Sequence, residues 1–163
     1  IEAVVYQGGF GSSRNLQCTN FKLPFYVYTS ASNIPKFMSG EIPHPRKHSF
    51  CEHLEYYELI QALTHYRWGF LGSCTPSLNI EFCMPNKLFE YIAAGLPMIV
   101  LHSKRTGKFV TKYGMGIHVE HPSDVNQYLD DAYKYRENVL KHRDEFWMED
   151  HIGILEDLYK SIL

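Results

Sequence analysis

Short apolar runs of strand length recur along this chain, and segments of helical spacing stand between them. That alternation is the strongest constraint on the fold, because parallel strands need a crossover between them and a helix is the usual crossover. Ala3-Val4-Val5-Tyr6 reads as a first strand, stopped by Gly8-Gly9-Phe10-Gly11. Phe25-Tyr26-Val27-Tyr28 reads as a second, Trp68-Gly69-Phe70-Leu71 as a short buried strand, and Met98 to Leu101 and Gly116 to Val119 as two more. A short strand is also expected near Ser49 to Cys51.

Between these runs the period changes. Tyr57 to Leu63 has helical spacing, with Leu54, Leu59 and Leu63 toward the core. A helix over Asn86 to Ala94 follows a loop from Gly72 to Pro85; Gly95 closes it and Pro97 prevents its continuation. A further helix is expected near Arg105 to Tyr113, and Pro122 opens another with Ser123 and Asp124 in its first turn. Residues 12 to 20 read as a short helix or a loop, and Ile34 to His48, rich in proline and histidine, as loop. From Arg136 to Leu163 the chain reads as a helical tail, broken near Phe146 to His151. The expected architecture is a Rossmann-like α/β domain: an open, mostly parallel sheet with helices on both faces and a helical C-terminal extension.

The 163 residues suffice for one domain with a single sizeable core. No stretch approaches the ~20 uninterrupted apolar residues of a membrane span. A net charge of -2 supplies no general field for nucleic acid, so an anionic ligand requires a local cluster. Cys18, Cys51, Cys74 and Cys83 form no zinc-type spacing and read as reduced thiols of a cytoplasmic protein. Ile1 has no preceding methionine, and the chain opens inside the apolar run Ile1 to Tyr6. The expectation is a fragment of a longer polypeptide, with the full site lying between this domain and another.

The most specific segment is Pro85-Asn86-Lys87-Leu88-Phe89-Glu90-Tyr91-Ile92-Ala93-Ala94-Gly95-Leu96-Pro97. A helix beginning near Asn86 offers unpaired N–H groups and a positive dipole end, which suit a pyrophosphate. Lys87 adds a point charge in the first turn. Glu90 lies one turn from Asn86 on the same side, where an ionised carboxylate accepts two hydrogen bonds from a ribose. Gly8 and Gly9 follow the first strand, at the carboxyl edge where open α/β sheets bind ligands, and their backbone permits close approach of a phosphate.

This segment resembles the donor-binding signature of GT-B-fold glycosyltransferases, especially the retaining enzymes related to family four, in which a P-N-K-x-x-E-Y-x-A-x-G-x-P pattern recurs. The resemblance extends to Val4-Val5-Tyr6-Gln7-Gly8, to Leu54 to Phe70, to Tyr113-Gly114-Met115-Gly116 and to Phe146-Trp147-Met148-Glu149. It covers nearly the whole chain and is weakest between Ser12 and Ser49. It implies that residues 1–163 are the C-terminal, donor-binding domain of a hexosyltransferase, 136–163 being its helical tail. Asn86, Lys87, Leu88 and Glu90 would then hold a nucleoside diphosphate sugar, with Glu90 on the ribose. Gly8, Gly9 and Arg14 would lie along the pyrophosphate, and His53 and Leu54 beside the base. Relatives carry a second glutamate, for sugar contact, at the position of Phe82; here Glu81 stands one residue away and is the candidate for that role.

The resemblance further implies no resident cofactor and no obligatory metal. The acceptor, a glycan or lipid-linked sugar, would be held by an N-terminal domain, in polysaccharide biosynthesis in the cytoplasm or at the inner face of the membrane. A sugar-nucleotide epimerase of the same architecture and a non-enzymatic doubly wound regulatory module remain alternatives. A dinucleotide-dependent dehydrogenase is disfavoured, because G-x-G-x-x-G is absent after the first strand. The nine histidines, among them His44, His48, His102, His118 and His121, show no spacing that argues for a metal site.

Overall fold

A computed structural model describes residues 1–9, 15–16, 20–39 and 49–162. Among the described residues, six strands form one sheet in the order β3-β2-β1-β4-β5-β6, every neighbouring pair parallel. They are β1 Val4–Gln7, β2 Phe25–Tyr28, β3 Ser49–Cys51, β4 Trp68–Gly72, β5 Met98–Leu101 and β6 Gly116–Val119. Val4, Val5, β4 through Leu71 and all of β5 are buried, as expected of central strands covered on both faces.

Alternate residues divide between two cores. Ala3, Val5, Leu71, Met98 and Val100 meet α2 (Tyr56–Leu63), α4 (Asn86–Ala93) and α5 (Lys104–Lys112). Val4, Tyr6, Trp68, Phe70, Ile99 and Leu101 face the other way, toward Leu16, Phe21 and the 3-10 turns Pro122–Gln127 and Leu129–Asp131. Trp68 is held there by its indole N–H, which donates to Leu129 O at 2.9 Å. α6 (Ala132–His142) reaches both cores, through Ala132 to one and Val139 to the other.

Two helices end alike for the same physical reason. Gly95, at φ +65°, follows α4; its N–H donates to Ile92 O and that of Leu96 to Tyr91 O. Gly114, at φ +62°, follows α5 with the matching bonds to Thr111 O and Val110 O. Both are Schellman endings, which satisfy the last carbonyls and favour glycine in the left-handed position.

The structure adds two short helices where loop was expected: α1 (Ile34–Met38) and α3 (Leu78–Phe82). α3 starts at Ser77, whose Oγ accepts from Ile80 N at 3.2 Å. The expected helix after Pro122 is instead a 3-10 turn. The tail divides at Trp147 into α6, a 3-10 turn over Arg143–Phe146 and α7 (Met148–Ile162). Cys74 is disulfide-bonded, contrary to the expectation of reduced thiols, while Cys51 and Cys83 are free. No described helix is long and apolar enough to cross a membrane.

Candidate functional site

The strand order reverses beside β1: β2 and β3 extend to one side, β4 to β6 to the other. In an open parallel sheet, the loops leaving the carboxyl ends of the strands part at such a point and leave a crevice. The end of β1 supplies Gln7 and Gly8, and α4 brings Lys87 and Glu90 against them.

Glu90 is half-buried, and the carboxamide of Gln7 donates to its Oε2. Burial pushes the Glu90 carboxyl above its ordinary range, and the nearby Lys87 ammonium offsets this only in part. Lys87 Nζ stands 3.9 Å from the centre of the Tyr6 ring, a cation–π contact that holds the charge at the mouth of the crevice. Gly8 has φ +121°, and a Cβ there would come within 3.2 Å of Lys87 Nζ. The turn therefore favours glycine, and the ammonium packs closely over it.

α4 is fixed from below by the residue after Glu90. Tyr91 is fully buried, and its hydroxyl lies 3.4 Å from Val5 O and 3.3 Å from Phe70 O, to which it donates. Its ring packs on Gly69, where an added Cβ would sit 2.6 Å from the ring. Ile92 and Ala94 are buried with it, as their spacing predicts.

From Lys87 a cleft of about 150 Å³ runs on between α3, α4 and the start of α5. Gly72, Asn79, Lys87, Ser103 and Thr106 are among its lining residues, and no carboxylate is. Thr106 Oγ1 donates to Cys83 O at 2.8 Å, tying the loop before α4 to α5. A larger cavity, about 330 Å³, lies at the opposite edge of the sheet among Glu2, Arg67, Tyr133 and Arg136. Its guanidiniums are already engaged, Arg67 by Glu2 and Arg136 by Tyr66 O, and it is far from the carboxyl ends of the strands.

The other sequence candidates fall as follows. Asn86 is exposed at the first turn of α4. Leu88 does not reach the crevice: its side chain is fully buried in the core, and its N–H donates to Pro85 O. Gly9 follows Gly8 and accepts from the Tyr6 hydroxyl at 3.1 Å. His53 is exposed and Leu54 half-buried beyond the end of β3, farther along the same edge. Glu81 makes a 2.6 Å ion pair with Lys104 and is not among the residues lining the cleft. Arg14 lies outside the described residues, as do His44 and His48.

Sequence reasoning missed Gln7, Tyr6 and Ser103, whose neighbours in the fold are distant in the chain. His102 reads as an ordinary histidine in the sequence. It is the one non-glycine at positive φ among the described residues (+60°), and its Nδ1 donates to Ser73 O at 2.8 Å. No group of three or more His, Cys, Asp or Glu able to hold a metal occurs among the described residues.

The doubly wound parallel sheet with this crevice is the C-terminal half of a GT-B glycosyltransferase fold. Residues 4–145 match the family model described as Glucosyltransferase 3-like, C-terminal domain, and the chain belongs to that family. Three solved structures share the fold. The pneumococcal O-GlcNAc transferase GtfA, in complex with UDP and GlcNAc, is 14% identical with a TM-score of 0.63, over 98% of this chain and 35% of that one. WaaG, a glycosyltransferase involved in lipopolysaccharide biosynthesis, is 12% identical with a TM-score of 0.55, over 87% and 42%. The glycosyltransferase SnogD from Streptomyces nogalater is 16% identical with a TM-score of 0.53, over 88% and 38%. The chain thus spans less than half the length of each. A comparison with curated proteins finds no match.

Proposed function

We propose that this chain binds a nucleoside diphosphate sugar as the donor half of a glycosyltransferase. The observation that carries the reading is Glu90, held by Gln7 at the end of β1 one helical turn from Lys87. A carboxylate there accepts the ribose hydroxyls, and the ammonium with the first turn of α4 takes the diphosphate. As the bond from the sugar to the diphosphate breaks, negative charge grows on the leaving oxygens. Lys87 and the α4 terminus stabilise that charge more than they stabilise the ground state.

In this reading the acceptor, a glycan or lipid-linked sugar, binds on a second domain, whose closure completes the cleft. The parent enzyme acts in polysaccharide biosynthesis, in the cytoplasm or at the inner face of the membrane, and needs no resident metal. Membership in a glucosyltransferase-like family favours transfer over the epimerase and regulatory readings. The 163-residue chain is accordingly expected to bind nucleotide without turning it over.

Calorimetric titration with UDP, GDP and ADP, on the wild type and on Glu90→Ala, tests this. Saturable binding of one nucleotide, weakened by about 1–3 kcal/mol in the variant, is the expected result for loss of a charged acceptor. Equal binding by both proteins removes Glu90 from the site. Sugar transfer by this chain alone sinks the two-domain reading.

A further inference from the structure

Strand order and ligand order run together along the carboxyl edge. If Glu90 beside β1 takes the ribose and Lys87 the diphosphate, whatever the diphosphate carries points toward β4 and β5, into the cleft lined by Gly72, Asn79 and Ser103. We infer that Ser103 is a specificity-determining residue for that group, a neutral hexose ring read by hydroxyl and carboxamide groups in place of a carboxylate. The inference rests on the donor-site reading above and adds the residue that distinguishes a sugar nucleotide from the bare nucleotide.

Three observations support it. Ser103 is 2% exposed, lines the cleft, and has no hydrogen-bond partner for its Oγ among the described residues. Buried hydroxyls are ordinarily satisfied, so an orphan in a cleft wall marks a place for a ligand group. Ser103 also stands at the N-cap of α5, where serine usually caps, yet its side chain makes no capping bond and the nine-residue helix begins uncapped toward the cleft. Of its neighbours, the Thr106 hydroxyl donates to Cys83 O, whereas Asn79 lines the cleft with its carboxamide free of any bond among the described residues.

Charge agrees with this assignment. Glu81, the carboxylate nearest in sequence, is tied to Lys104 and does not line the cleft. The His102 ring, bonded to Ser73 O, pins the left-handed turn immediately before Ser103.

The test is calorimetry on the 163-residue chain with UDP, GDP and ADP, then with the glucose or mannose conjugate of whichever base binds. In Ser103→Ala the affinity for the free nucleotide should stay within a factor of two, while that for the sugar conjugate falls about fivefold, the worth of one neutral hydrogen bond. The free protein's Tm should be unchanged or higher, since the variant deletes an unsatisfied buried group. If Ser103→Ala weakens both ligands alike, weakens neither, or lowers the Tm without changing their ratio, the inference is overturned and the donor-site reading stands. If no nucleotide binds the wild type, the donor-site reading fails and takes this inference with it.

Discussion

Replacing Glu90 with glutamine is expected to weaken nucleotide binding and raise the melting temperature together. Glu90 is half-buried against Gln7, and burial lifts its pKa by more than Lys87 lowers it. A carboxylate whose folded pKa lies above its unfolded value opposes folding wherever it is ionised in the native state. That opposition is present at pH 7, begins to fade as pH falls through the folded pKa, and is gone below the unfolded value. Glutamine has the same shape, carries no charge, and its carbonyl still accepts from the Gln7 carboxamide. The melting temperature at pH 7 should therefore rise.

Binding moves the other way. Two hydrogen bonds from ribose to a carboxylate are each worth ~1.5–3 kcal/mol, against ~1 kcal/mol for the one that an amide carbonyl can accept. After the carboxylate's own desolvation is subtracted, a net loss of about 1–3 kcal/mol is expected, roughly 5- to 150-fold in Kd. The assay is a pair of measurements, calorimetry with the bound nucleotide from pH 7 to pH 5 and thermal melts without ligand. Wild-type affinity should fall on acidification, beginning above the usual glutamate range, because protonation removes the acceptor. Glu90→Gln should show only the titration of the nucleotide's own phosphate, so the difference between the two curves isolates Glu90. A lower Tm with unchanged affinity would refute the argument and make Glu90 a structural partner of Gln7.

Three further changes test the surrounding geometry. Lys87→Met keeps the stem over Tyr6 and removes the charge; calorimetry at low and high salt should show about tenfold weaker binding with a flatter salt dependence. Gly69→Ala forces a Cβ to 2.6 Å from the buried Tyr91 ring. About 2–3 kcal/mol of stability should be lost, or roughly 4–12 °C by calorimetry for a chain of this size, and nucleotide affinity should fall because Tyr91 positions α4. Gly95→Ala puts a side chain at φ +65° and meets the flexible end of Leu140 at 2.7 Å. Chemical denaturation should show a loss of about 1–2 kcal/mol with an unchanged m-value.

The strands were readable because a central parallel strand must be apolar on both faces, and Val4-Val5, Phe70-Leu71 and Met98 to Leu101 declare that directly. The two Schellman endings were readable in part, since Gly95 before Pro97 is a local signal. α1 and α3 were not, because five residues span little more than one helical turn and show no repeat of a period. Leu88 adjoins its charged neighbours in sequence, yet one residue is a turn of 100° about a helix, and that rotation carries it into the core. Glu81 is suggested by its place in the chain, whereas its pairing with Lys104, 23 residues on, is visible only in the fold. Gln7 and Ser103 carry no signal of their own, since the significance of each depends on what the fold sets beside it.

The bond between Gln7 and Glu90 joins positions 83 residues apart. Three crossovers, β1 to β2, β2 to β3 and β3 to β4, lie between them, and β1 must pair with β4 before the two side chains meet. Closing such long loops is slow, and no half-folded chain can possess the crevice. Nucleotide should therefore bind only the globally folded species and slow amide exchange across β1, β4 and β5 as one block. The exposed α7, outside that block, should exchange at the same rate with or without ligand.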